Sequence, residues 1–131
     1  MEKFKLEING DDFQTIEGFY EELNRLLMQD EDWKLGVSLD AFDDLLYGGY
    51  GSLKGFDQLE IVWKNSAKSS LDLGLEATLN FYEEKLKNPD LFNQDFVQLK
   101  IADLKSGIGK TYFEILIEII SAHSAIQLVL E

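Results

Sequence analysis

Cysteine is absent from this 131-residue chain. Disulfides, thiol catalysis and cysteine-bound zinc are excluded with it. Histidine occurs once, as His123, so a histidine-based metal cluster is excluded and a Ser-His-Asp site would depend on that one residue. Basic residues are scarce: 12 Lys+Arg stand against 25 Asp+Glu, a net charge of −13. A phosphate backbone needs a basic footprint, so direct nucleic-acid binding is disfavoured. An anionic membrane surface is disfavoured for the same reason. Long apolar runs are missing too. None approaches the roughly 20 residues of a membrane span, and Met1 to Glu7 hold no stretch suited to a signal peptide. The expectation is a soluble cytoplasmic protein with no membrane contact. Nothing in the sequence asks for a cofactor or a metal.

What is present describes a folded chain. Hydrophobic residues make up 45% and aromatics 12%, with a single proline, which sets the sequence apart from disordered tails. The length predicts one domain over residues 1–131.

Phe4, Leu6 and Ile8 alternate with Lys3, Lys5 and Glu7, the period of a strand with one face buried. Asn9 to Asp12 form a turn. Thr15 caps a helix in which Ile16, Phe19, Tyr20, Leu23, Leu26 and Leu27 recur at spacings of three and four. Residues 28–37 form a loop. Ser38 caps a short second helix over Leu39–Tyr47, ended by Gly48-Gly49, and a flexible loop follows to Gly55. Leu59 to Trp63 alternate less strictly, which predicts a central strand covered on both faces. A third helix is predicted over Leu71–Lys87, stopped at Asn88-Pro89. Residues 96–104 fit two patterns: Val97, Leu99 and Ile101 alternate like a strand, yet the stretch is compatible with a helix. A helix over Thr111–His123 and a strand over Ile126–Leu130 close the chain. Strands separated by helices predict an α/β domain, a small parallel sheet of three strands packed with helices, with 96–104 as a candidate fourth strand.

The second helix is the informative one. At about 100° per residue with Asp40 at zero, Asp44 falls at about 40°, Tyr47 at about 340° and Asp43 at about 300°. Leu45, Phe42, Leu46 and Leu39 fill the opposite arc, between about 140° and about 260°. Packing of that apolar arc points the three aspartates at solvent. The arrangement is unfavourable for the helix itself. Asp40 and Asp44 repel by roughly 0.2–0.5 kcal/mol, Asp44 meets the negative end of the helix dipole, and aspartate is a poor helix former away from the cap. Two readings remain open: a solvated face on an acidic protein, or a cation-binding surface rimmed by Trp33, Tyr47 and Tyr50.

The stretch Ile8-Asn9-Gly10, the first helix, and then Leu35 to Leu46 resemble the barstar-like family, intracellular inhibitors of the ribonuclease barnase. The core of the likeness is Gly36 followed by Ser38-Leu39-Asp40-Ala41-Phe42-Asp43-Asp44. In the family a glycine and two residues precede Leu-Asp-Ala, an apolar residue, a variable residue and a second aspartate. Leu59–Trp63 resembles the family's second strand, and Thr111–Glu131 its last helix and strand. The likeness covers residues 4–63 and 109–131, and implies an insertion at about 64–108.

That resemblance implies a three-stranded parallel sheet and an inhibitor that pushes its acidic helix into a ribonuclease active site. Asp44 falls on the aspartate that occupies the nuclease's phosphate site, Asp40 on the second acid, Tyr47 on a contact at the helix end, and Glu118 on the acid of the last helix. The chain departs from the pattern in three places. Lys34 and Leu35 stand where the family often has two tyrosines, with Trp33 just before them. Asp43 replaces an aromatic. Gly49, next to Tyr50, replaces another. Asp43, Trp33 and Tyr50 are therefore candidate rim residues of a surface that differs from barstar's.

The chemistry agrees with the implied role. A ribonuclease site is cationic because it binds phosphate and stabilises developing charge, and arginine grips a carboxylate with the same two-pronged bond it gives a phosphate. Desolvated pairs of this kind couple by about 1.5–7 kcal/mol, a range measured on the barnase–barstar pair itself. The expected partner is a basic ribonuclease. The alternative is the same fold acting as an acidic binding module for another cationic toxin or partner protein.

Other signals carry less. Gly107-Ile108-Gly109-Lys110-Thr111 resembles the end of a phosphate-binding loop, but the required earlier glycine is Leu104. The three aspartates lack the spacing and glycine of a calcium loop. His123 suits a cap at the last helix's end. Exposed carboxylates without a pocket make an enzyme the least favoured class.

Overall fold

Alternation in β1 (Lys3–Asn9) turns Leu6 and Ile8 into the core and leaves Lys3, Lys5 and Glu7 outside. The computed structural model describes residues 3–131; Met1 and Glu2 lie outside the described residues. After β1 come α1 (Ile16–Leu27), α2 (Leu39–Leu46), β2 (Gln58–Lys64), α3 (Ser66–Asp72), α4 (Leu75–Leu86), α5 (Gln94–Ser106), α6 (Tyr112–Ser121) and β3 (Ile126–Leu130). The strands form a parallel sheet in the order β1-β2-β3. Leu6 pairs with Ile61, and Ile61 with Leu128.

The expected α/β class, with a three-stranded parallel sheet packed with helices, is what the chain adopts. β2 is central as expected but is not covered on both faces. Leu59, Ile61 and Trp63 enter the main core. The other face shows Lys5, Glu7, Glu60, Lys64 and Gln127, with Lys3–Glu60 and Lys64–Glu7 ion pairs at 3.4 Å. Among the described residues only Val62 is buried there, and its apolar side chain made the strand look two-faced.

Trp63 organises the core. Its ring stacks on Phe19 at 5.5 Å between centroids and meets Phe13 and Phe113 edge-on. Its indole N–H donates to Ser69 Oγ at 3.0 Å. The Asn9-Gly10 pair has a physical reason. Asn9 Oδ1 accepts from Asp11 N and Asn65 Nδ2, and a Cβ at Gly10 would stand 2.6 Å from both Asn65 O and Ser69 Oγ. Only a glycine lets β1 end against α3.

The segment between β2 and α6 differs most from expectation. The single helix over Leu71–Lys87 is two, α3 and α4, parted at Leu73-Gly74. Leu73 turns fully into the core, and a Cβ at Gly74 would lie 2.9 Å from Ser70 O and 3.0 Å from Leu71 O. Leu71 and Leu75 are exposed. Residues 96–104 are helical, so there is no fourth strand among the described residues. Asn93 caps α5 through Phe96 N at 3.1 Å, Gly107 ends it with φ 85°, and the residues buried are Val97, Ile101 and Leu104. With Tyr82 they form a small second core between α4 and α5. No helix among the described residues is long and apolar enough to cross a membrane.

Candidate functional site

The approach to α2 is fixed before α2 begins. Asn24 on α1 accepts from Leu35 N at 2.7 Å and donates to Leu35 O at 3.1 Å, so one amide satisfies both backbone groups of the loop residue. Leu35 is buried beside it. Three residues on, Ser38 Oγ accepts from Ala41 N at 3.2 Å and caps the helix. Phe42, Leu45 and Leu46 are buried, which anchors α2 by roughly 1.5–3 kcal/mol per side chain. The expected apolar arc is the packed one, and it sets where the acids go.

Asp40 and Asp44 are exposed on the opposite arc, and neither carboxylate has a hydrogen-bond or ion-pair partner among the described residues. Tyr47, at the helix end, is 73% exposed. Trp33 and Tyr50 come together beside this face with ring centroids 4.8 Å apart, edge to face. Glu31 holds them there: Oε2 accepts the Trp33 indole N–H at 3.1 Å and Oε1 accepts Gly51 N at 3.3 Å. The Tyr50 hydroxyl donates to Ala41 O on α2 at 3.2 Å. Burial, and then the nearby charge of Asp44, push the Tyr50 phenol above its ordinary range. The segment expected to be a flexible loop is therefore an ordered turn over Gly51–Leu53, with Leu53 buried. Trp33, Tyr50, Asp40 and Asp44 belong to one surface.

Two of the sequence candidates behave otherwise. Asp43 does not stand free in solvent: its Oδ1 accepts from His123 Nε2 at 2.6 Å. Since an ionised carboxylate can only accept, that nitrogen carries the proton. The His123 side chain is 9% exposed and its ring packs edge-on against Tyr47 at 4.5 Å. His123 is thus a clip joining the end of α6 to α2, and not the surface cap expected from its place in the sequence. The two partners are 80 residues apart. Glu118 lies exposed on α6 and is ion-paired with Lys110. No bond links it to α2 among the described residues.

A cavity of about 300 Å³ opens beyond the clip, lined by Leu46, Tyr47, Phe56 and His123 among others; neither Asp40 nor Asp44 lines it. No protein family, curated protein or solved structure matches this chain.

Proposed function

We propose that this chain is a barstar-like inhibitor that blocks the cationic active site of a ribonuclease with α2, acting in the cytoplasm as an immunity protein that neutralises a toxin. The observation that supports this reading best is the pair of outward carboxylates Asp40 and Asp44, unpartnered among the described residues, on a helix whose other face buries Phe42, Leu45 and Leu46. Asp44 takes the place of a substrate phosphate and accepts an arginine or lysine of the enzyme. Asp40 neutralises a second cation. Trp33, Tyr50 and Tyr47 form the rim that excludes water around those pairs. Asp43 seats the helix through His123, and Glu118 enters the contact by exchanging Lys110 for a cation of the partner, since an exposed ion pair contributes at most about 1 kcal/mol. The chain itself performs no catalysis in this scheme. Its −13 charge speeds the encounter with a basic enzyme.

A second reading keeps the surface and changes the target to a cationic toxin that is not a nuclease. It is favoured by Asp43, which stands where the family carries an aromatic and is already engaged by His123.

The test is titration of the purified chain into a panel of basic ribonucleases with RNA cleavage as the readout. Stoichiometric inhibition of one of them is expected. Asp44→Ala should weaken it by several kcal/mol, as truncation of a central hot spot does. Inhibition undiminished by Asp44→Ala and Asp40→Ala together would remove α2 from the mechanism. Capture of a cationic non-nuclease with no effect on any ribonuclease selects the second reading.

A further inference from the structure

The cavity beyond the His123 clip lies at the end of the sheet where the strands begin: Phe4, Gln58 and Ile126 all line it. Helices that return over a parallel sheet finish at that end. Leu46 and Tyr47, at the end of α2, and Ala122, at the end of α6, line the same space. Two helix C-termini therefore converge on it, and a helix C-terminus favours a cation. The side chains agree in sign. Asp57 lines the cavity, and its carboxylate has no hydrogen bond or ion pair among the described residues. No lysine or arginine among the described residues lines it. The hydroxyls of Tyr47 and Ser124 and the amide of Gln58 can turn to either role.

His123 points the same way. Its side chain is 9% exposed, and its Nε2–H is given to Asp43. That bond leaves Nδ1 with a lone pair, able only to accept. Nδ1 has no partner among the described residues. No side-chain nitrogen or oxygen among them is both fully buried and unbonded, so Nδ1 stays accessible, and the cavity is the space its ring lines. Phe4 and Phe56, with ring centroids 5.0 Å apart, add apolar walls together with Leu53, and aromatic faces also attract cations. At about 300 Å³ the space is at the small end of ligand pockets.

We propose that this cavity binds a small organic ammonium ion, an amine with an apolar body, which donates to His123 Nδ1 while Asp57 supplies the countercharge and Phe4, Leu53 and Phe56 cover the body. A metal ion is not the occupant the site is built for, since no three metal-ligating side chains come together among the described residues. An anion would meet Asp57 and two negative helix ends. A neutral apolar molecule would leave the Nδ1 lone pair without a donor.

This inference stands apart from the proposed inhibitor role, because the amine is measured with no partner protein present and Asp40 and Asp44 do not line the cavity. The experiment is heteronuclear NMR titration of the full chain with benzylamine, with benzyl alcohol as the uncharged counterpart and benzoate as the anion. Benzylamine should shift the amides of Gly48, Asp57 and Ser124 saturably, with a Kd on the order of 1 mM for so small a molecule, and the other two should not. His123→Gln places an amide nitrogen where Nε2 was, which preserves donation to Asp43 but offers no acceptor at Nδ1; it should weaken benzylamine by about tenfold. Asp57→Asn, on an exposed residue, should weaken it by about threefold. Glu76→Gln removes an equal charge from the exposed face of α4, outside the cavity, and should bind as the parent does. The proposal is overturned by shifts that do not saturate, by benzyl alcohol or benzoate binding as tightly, by His123→Gln and Asp57→Asn both binding as the parent does, or by Glu76→Gln weakening binding as much as Asp57→Asn.

Discussion

Replacing Asp44 by alanine should make the folded chain more stable while it weakens the proposed partner binding by several kcal/mol. Asp44 lies in the last turn of the eight-residue helix α2, exposed and without a side-chain partner among the described residues. Three unfavourable contributions are removed together. Aspartate is poorer than alanine in a helix by about 0.6 kcal/mol. An anion near the C-terminus opposes the dipole by roughly 0.3–1 kcal/mol. The repulsion from Asp40, one turn back, is worth roughly 0.2–0.5 kcal/mol. The gain is about 1–2 kcal/mol, a rise in Tm of about 4–8 °C for a chain of this size. Urea unfolding followed by tryptophan fluorescence measures it, and the midpoint should rise with the slope unchanged. Asp44→Asn, which removes the charge but keeps the poor helix propensity, should recover about half. A less stable Asp44→Ala protein would mean that the carboxylate serves the fold, and the argument that it is held for a partner would fail.

Other outcomes follow from the interior. The Tyr20 and Tyr112 hydroxyls share one buried hydrogen bond of 2.6 Å. Tyr20→Phe or Tyr112→Phe alone strands the other hydroxyl and should cost about 1–3 kcal/mol, while the double variant should fall short of the sum by about 1 kcal/mol; additive losses in urea titrations would refute the shared bond. Burial holds both phenols in their protonated form, with Tyr112 pushed up to about 12 and Tyr20 also raised. Unfolded tyrosines release their protons from pH about 10, so the unfolded state binds fewer protons than the folded one above that pH. Stability is therefore intact below pH about 10 and falls by about 1.4 kcal/mol per tyrosine per pH unit up to pH about 12. Denaturation midpoints taken across that window should show a shallower slope in Tyr20→Phe.

The parts of this fold that were legible in the sequence are those whose cause is local. Ser38, the apolar arc Phe42-Leu45-Leu46 and the glycines at 48–49 together specify α2, and the packed helix turns Asp40 and Asp44 outward as the spacing required. The break at Leu73-Gly74 was not legible, because Leu71, Leu75, Leu79 and Tyr82 continue a helical spacing straight through it. What decides it is Leu73 entering a core assembled from other elements. In α5 the strand-like series 97, 99, 101 and the helix-like series 97, 101, 104 compete, and the position that differs, Leu99, is left exposed. The Asp43–His123 clip was out of reach for another reason: no periodicity relates residues 80 positions apart. A lone histidine just past an apolar helix was the available hint. It could have raised the question of which acid it meets.

The sheet order β1-β2-β3 bears on when the acidic face becomes available. The central strand has its second neighbour only at residues 126–130, and the imidazole that steadies α2 comes at 123. A ribosome must pass both before the hydrogen bonds along Leu59–Trp63 can be completed on that side. Until then Ile61 and Trp63 sit at an open edge, where nascent chains stick to one another. Pairings this distant in sequence also slow folding. Truncated translation products should consequently be insoluble, and the acidic face should emerge late, in one step with the closing of the sheet.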